Sequence, residues 1–412
     1  MNSMSQPGAM HHKEFVVLMA AIMSVVALSI DAMLPALGVI GQDLGILNPN
    51  HTQFIISAIF AGMAVGQLLC GPLSDALGRK RLLILSFLLY LGGTFICWTA
   101  TSLEQMLIGR IVQGFAAAGP YVSTMSIVRD CYSGYAMARI MSLVMMIFIM
   151  VPVVAPAMGQ LMLRIGSWQS VFTLLFFYAL VVLGWVALRL KETLPPERRI
   201  TFSMANIKHG AFTVLSNRTT VCYMLCAGLV FGALIGYLNS CLQIFQSLYQ
   251  AGDNFALYFG ALAFTLGIAS LLNSRLVQRF GPRLICFCAL CTMAFISALL
   301  LIAQFIISTP LWLFMAYAAV IFFCFGLLFG NLNALAMEPM GHIAGIASAI
   351  IGALSSVISI TSGTIIGQLF NHTLIPMVAG FLMLSLLALV VMFAAKANLT
   401  QQDEMALVSD ER

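Results

Sequence analysis

Twelve apolar runs, each long enough to cross a lipid bilayer as a helix, dominate this sequence. Six lie near residues 15–37, 52–72, 82–101, 104–127, 138–163 and 169–189. After a polar stretch from about 190 to 218, six more lie near 220–247, 254–274, 283–306, 310–336, 343–369 and 374–395. A spanning segment needs about 20 apolar residues, and the bilayer core forces every backbone amide to bond within it, as a helix does. Composition agrees, since 61% of the 412 residues are hydrophobic and only 8% are charged. An ordinary soluble domain carries about 25% charged residues, and a membrane β-barrel would show short alternating segments. An all-α integral membrane protein with 12 transmembrane helices is predicted.

The polar stretch splits the runs six and six. The expected organisation is an N-terminal six-helix bundle over 1–190, a central loop over 191–218, a C-terminal six-helix bundle over 219–396 and a tail over 397–412. The halves resemble each other weakly: the segment from Gly66 to Ile84 finds a counterpart from Gly267 to Ile285, at an offset of 201. An even helix count per half keeps both repeats in one orientation, which points to a transporter of two pseudo-symmetric bundles that alternate access. Basic residues set the topology. With the N-terminus in the cytoplasm, 17 of the 19 Lys and Arg residues fall on the cytoplasmic side, among them Lys13, Arg79, Lys80, Arg81, Arg129, Arg139, Lys396 and Arg412. Both termini are therefore expected to be cytoplasmic.

The same distribution removes other readings. The net charge of +5 sits in short loops beside apolar runs, so it is topological and calls for no nucleic-acid partner. Most of the ten cysteines lie in apolar stretches, where a thiol acts as a small hydrophobe, and no metal site is expected. A membrane enzyme needs clustered acids or histidines, yet His11, His12, His51, His209, His342 and His372 are scattered at run ends or in loops. A channel would have no use for two charges inside its helices. The first run is too long for a signal peptide and contains an acid.

Those two charges are Asp31 and Arg110. Of fourteen acidic residues, only Asp31 lies well inside a run, where insertion costs about 2.5–3.5 kcal/mol. Arg110 is the one basic residue placed similarly. At 1.5 Å per residue both sit about 9 Å below the outer ends of their runs, so pairing, direct or through water, would offset the desolvation of each. Two blander readings stand beside this. Asp31 would be a helix-end residue, since Leu34 and Pro35 follow closely, and Arg110 would brace the bundle on backbone carbonyls.

Between the second and third runs, Gly71-Pro-Leu-Ser-Asp75-Ala-Leu-Gly78-Arg79-Lys80-Arg81 closely resembles the loop signature of the major facilitator superfamily. Leu107-Ile-Gly-Arg110-Ile-Val-Gln113-Gly114 resembles the Arg-centred motif of its proton-coupled drug exporters. Ser29-Ile-Asp31-Ala-Met-Leu-Pro35, Val128-Arg129-Asp130 and Ala155-Pro156-Ala-Met-Gly159 together look like the Bcr/CflA-type multidrug branch. The resemblance implies export of small amphipathic drugs or metabolites from a bacterial cell across its inner membrane. It also implies protons as the coupling ion, no cofactor beyond the proton gradient, and a monomer. Asp31 would carry the proton, coupled to Arg110. Gly71, Asp75, Gly78, Arg79 and Arg139 would form a cytoplasmic latch that steadies the outward-facing state. An uptake symporter or facilitator of the same fold is the alternative.

In the fifth run Pro152, Pro156 and Gly159 predict a kink and a close-packing surface. Val151, Ala155 and Gln160 stand where the exporter pattern carries glycines. The second half has no charge to answer Asp31. Asn239 and Gln243, one turn apart, and Asn331 and Asn333 would line a wet cavity or staple helices together. Met33, Tyr121, Met146, Phe231 and Tyr237 are candidates for an adaptable apolar wall against substrate.

Overall fold

The computed structural model describes residues 10–200 and 203–410. The first span is built in pieces: α1 (His12–Asp31), a 3-10 turn over Leu34–Ala36, and α2 (Leu37–Asp43). Then come α3 (Phe54–Leu77), α4 (Arg79–Trp98), α5 (Leu103–Cys131), α6 (Gly134–Ile165) and α7 (Gln169–Arg189). A short α8 (Met204–Ser216) leads into α9 (Arg218–Gln243), α10 (Phe255–Phe280), α11 (Pro282–Ala303), α12 (Leu311–Met337), α13 (Ala344–Gln368) and α14 (Ile375–Asp410). Among the described residues, 12 helices are long and apolar enough to cross a membrane.

Three boundaries differ from the sequence-based expectation. The first span continues to Asp43, past its break after Asp31. Asp31 is therefore twelve residues from the end of the span, or about 18 Å at the helical rise, deeper than the 9 Å expected. The central loop holds α8, whose Ile207, Gly210 and Val214 form a buried stripe at i, i+3 and i+7. Gly210 abuts Ile346 in α13. The polar tail expected from 397 begins inside α14; Arg412 and the side chain of Lys396 lie outside the described residues.

The chain forms two compact units, one of Met1–Ser203 with Cys241–Phe264, the other of Met204–Ser240 with Thr265–Arg412. Small residues let helices approach in each. In the first, a Cβ on Gly114 of α5 would run into the backbone of Ile59 in α3, a contact only small residues permit between spans. In the second, Gly232 of α9 and Gly363 of α13 do the same for their helices. Aromatic side chains fill the space beside them, with Phe325 stacked on Phe329 and Phe329 edge-on to Phe231.

Segment 241–264 is tied to the first unit by amides. Gln53 Nε2 donates to Gln243 Oε1 at 2.6 Å, and Gln243 Nε2 donates to Asn50 Oδ1 at 3.1 Å. Gln160 Nε2 donates to the Gly252 carbonyl at 3.0 Å. Gln160, one of the departures from the exporter glycine pattern, thus has a hydrogen-bonding task where a glycine would have none.

Candidate functional site

Arg110 is fully buried on α5. Its Nε donates to the Ile55 carbonyl at 3.1 Å, Nη1 to Gln113 Oε1 at 2.7 Å, and Nη2 to the Ser29 carbonyl at 2.9 Å. Gln113 Nε2 in turn donates to Thr94 Oγ1 at 2.9 Å. All three acceptors are neutral, and the planar fork of a guanidinium serves three directions at once. Ile55 stands in the first turn of α3, so the cation joins α1, α3, α4 and α5 at one level.

Ser29 is held from a second side. Its Oγ donates to the Val25 carbonyl and meets the Tyr90 hydroxyl at 2.5 Å. A serine has one proton to give, so Tyr90 is the donor in that pair. The turn of α1 just before Asp31 is thereby fixed by Arg110 of α5 and by Tyr90 of α4.

Asp31 itself is buried, 6% exposed, at the last residue of α1. Among the described residues no ion pair or hydrogen bond reaches its carboxylate, and none joins it to Arg110. Of the pairing expected directly or through water, the direct contact is not formed among the described residues, and Arg110 bonds backbone carbonyls as in the bracing reading. The groups about Asp31 are of another kind. The Cys241 thiol is near enough to interact with it electrostatically. Gly159 of α6 lies against the chain one residue on, where any Cβ would strike the Ala32 carbonyl and approach Pro35. Pro152 and Pro156 lie within α6, one turn apart, on the run that leads to this contact. After Asp31 the α-helical ladder gives way to the turn at Leu34–Ala36, with Pro35 unable to donate.

The second cluster lies at the α3–α4 junction. Arg79, 3% exposed, donates from Nη1 to Asp75 Oδ1 at 2.6 Å and Ser74 Oγ at 2.9 Å, and from Nε to Asp130 Oδ2 at 3.0 Å. Glu192, just beyond α7, caps the start of α4. Its carboxylate accepts from the backbone N–H of Arg79 at 2.9 Å and of Lys80 at 3.3 Å. It also accepts from Thr193 and Leu194, each at 3.1 Å. A carboxylate there satisfies orphan donors and complements the positive end of the helix. Gly78 is required twice over: its φ is +100°, and a Cβ would collide with the Glu192 carboxylate. Gly71 lies within α3 beside Pro72.

Arg139 takes no part in this cluster; it is exposed on α6, and no hydrogen bond to it is formed among the described residues. Asp130, Ser74 and Glu192 are the residues that bond Arg79 beside Asp75. Asp130 lay within a motif already noted, without a partner. Glu192 carried no signal, because the turn that brings residue 192 to residue 79 is purely tertiary.

Met33 is fully buried, Met146 is 47% exposed, and Tyr121 is half-buried on α5. Tyr237 packs edge-on to Phe322. Asn239 Nδ2 donates to the Gly363 carbonyl at 3.3 Å, and Asn331 and Asn273 exchange amide hydrogen bonds at 2.8 and 3.3 Å. Asn239, Gln243 and Asn331 thus fasten helices, whereas Asn333 is exposed. Among the described residues no group of three or more His, Cys, Asp or Glu side chains gathers as a metal site would require.

Residues 18–364 match the Major Facilitator Superfamily, and the chain belongs to it. It is 30% identical over 357 residues to the uncharacterized MFS-type transporter YdgK of Bacillus subtilis, covering 85% of this chain and 87% of the relative. It is 26% identical to the bicyclomycin resistance protein homolog of Haemophilus influenzae, covering 84% and 87%. With multidrug resistance protein D of Escherichia coli it shares 24% over 79% and 81% of the two chains. The fold matches that of a D-xylose-proton symporter (TM-score 0.66, 15% identity, 92% of this chain and 97% of that one). It also matches the human organic anion transporter MFSD10 (TM-score 0.62, 16% identity, 92% and 98%). The chain is a multi-pass membrane transporter and not an enzyme.

Proposed function

We propose that this transporter exports small amphipathic compounds in exchange for protons, by alternating access, across a bacterial inner membrane with both termini in the cytoplasm. The observation that carries the proposal is Asp31: one carboxylate buried deep in the first span, where the helix breaks and α6 presses against its backbone. A buried acid without a fixed cation partner is costly and marks a proton or substrate path by default. The names of the resistance proteins among its relatives support efflux over uptake.

In the proposed cycle Asp31 takes a proton from the outside and releases it inward as substrate binds. Its coupling to Arg110 runs through the chain: a change at Asp31 moves the turn that ends α1, and Arg110 holds the Ser29 carbonyl in that turn. The Arg79 cluster would act as the cytoplasmic latch, with Glu192 as part of it. Each net positive charge moving inward gains about 2.3 kcal/mol per 100 mV from the membrane potential.

Energised cells carrying the protein should accumulate less ethidium than cells without it, and an uncoupler should restore accumulation. Higher accumulation in energised cells, lost with the uncoupler, would reverse the direction and make the protein an uptake symporter.

A further inference from the structure

Helices α4 and α7 enclose a groove of about 240 Å³ at the end of the span opposite Arg79. It is lined by Thr94, Phe95 and Trp98 of α4 and by Phe172, Thr173 and Phe177 of α7, with no charged side chain. We propose that it seats part of one acyl chain of a membrane phospholipid from the leaflet on that side.

Chemistry selects the occupant. The two hydroxyls in the wall have no proton left to offer: Thr94 Oγ1 donates to the Tyr90 carbonyl at 2.7 Å, and Thr173 Oγ1 to the Gln169 carbonyl at 3.1 Å. A drug held here would find no donor to orient it, and drug-sized pockets run to about 300–1,000 Å³. The groove is smaller, dry-walled and open on the lipid-facing side of two spans, so hydrocarbon fits it and the bilayer supplies hydrocarbon. Trp98 closes α4 where an aromatic ring suits the membrane interface, beneath which a phospholipid tail begins.

The walls are set before anything binds. Phe172 is fully buried and packs edge-on to Trp168 at 5.8 Å, and Trp168 Nε1 is pinned by Asp43 Oδ2 at 2.6 Å. Across the groove Phe95 and Trp98 pack on each other at 5.9 Å. Thr94 also accepts from Gln113, the partner of Arg110. A chain in the groove therefore leans on the end of the hydrogen-bonded network that holds α1.

Native mass spectrometry of the full-length protein, extracted in mild detergent from its own membrane, tests the site. One phospholipid mass should stay bound through moderate activation in the wild type. Thr173→Trp, which fills the groove, should lower that retention several-fold. Leu180→Trp places the same indole on α7 outside the groove and should leave retention unchanged. Phe177→Ala, which removes a wall, gives a second reading should Thr173→Trp not fold, and it too should lower retention several-fold. Absence of any retained lipid, equal retention in the groove variants, equal loss in Leu180→Trp, or a retained mass belonging to detergent, a drug or a second copy of the chain would each overturn the proposal.

Discussion

Arg110 Nη2 lies 2.9 Å from the carbonyl oxygen of Ser29, two residues before Asp31 on the same helix. A basic side chain buried well inside a span thus grips the backbone that carries the buried acid, and not the acid itself. An ion pair would couple the two by charge. This geometry couples them by position, so that whatever moves the end of α1 must strain or release a guanidinium with two further fixed bonds, to Ile55 and Gln113.

With no charge contact joining them, the two residues should show no ion-pair coupling in stability. Asp31→Asn is expected to leave the thermal midpoint in detergent nearly unchanged. Arg110→Lys should lower it, with a cost on the order of 2 kcal/mol, because an ammonium cannot serve three diverging acceptors. The double variant should show the sum of the two within about 0.5 kcal/mol. Rescue of Arg110→Leu by Asp31→Asn would instead reveal an ion pair.

Gly159 is expected to tolerate nothing larger. Gly159→Ala puts a methyl into the Ala32 carbonyl and should destabilise by about 1–3 kcal/mol. Gly184→Ala, with nothing within 4 Å of its added Cβ, is the matched control and should hold or slightly raise the midpoint. Equal midpoints for the two alanine variants would remove α6 from the support of the Asp31 turn.

Glu192→Ala should cost about 1 kcal/mol, the ordinary value of a helix cap, and should slow transport if the Arg79 cluster stabilises one state of the cycle. Gly78→Ala should cost more, since it adds backbone strain to the collision with the carboxylate. Arg139→Ala should match the wild type in both measurements. A loss of transport in Arg139→Ala comparable to that in Glu192→Ala would return Arg139 to the latch.

The amides of the second half are expected to register in stability before selectivity. Asn331→Leu should lower the thermal midpoint by breaking the exchange with Asn273, with a coupling near 0.6 kcal/mol in a double-mutant cycle, typical between spans. The rank order of transported drugs should not change. A reordered drug profile at wild-type stability would make Asn331 a substrate contact.

Spans were legible because lipid imposes a single requirement on every residue of a run. The sixth run, 169–189, coincides with α7. Legibility failed where tertiary contacts decide. The first run, drawn to residue 37, stops six residues short of Asp43, because the 3-10 turn that carries the chain on leaves no mark in the apolar pattern. The repeat between halves was set at an offset of 201, yet Gly78 and Gly281 hold the same place, each with positive φ at the start of the next helix. That offset is 203, because α10 runs to Phe280 where α3 ends at Leu77.

Within the site, residue type was readable and partnership was not. An acid and an arginine inside apolar runs stand out from sequence alone. That Arg110 would choose the Ser29 carbonyl over the Asp31 carboxylate depends on how α1 is turned about its axis, which Gly159 and Tyr90 decide from other helices. Gln243 was a substrate candidate for want of any sign that Gln53 and Asn50, nearly two hundred residues earlier, would engage both ends of its amide.

The central claim is that Asp31 carries the proton. Proteoliposomes preloaded with ethidium, a permanent cation, and with a trapped pH dye would be diluted into ethidium-free buffer with the membrane potential clamped. Antiport predicts that ethidium leaving by the wild-type protein draws protons in and acidifies the interior, and that Asp31→Asn abolishes the acidification while still binding ethidium. Acidification by Asp31→Asn equal to that of the wild type would contradict the claim, as would ethidium exit through the wild type with no proton movement at all.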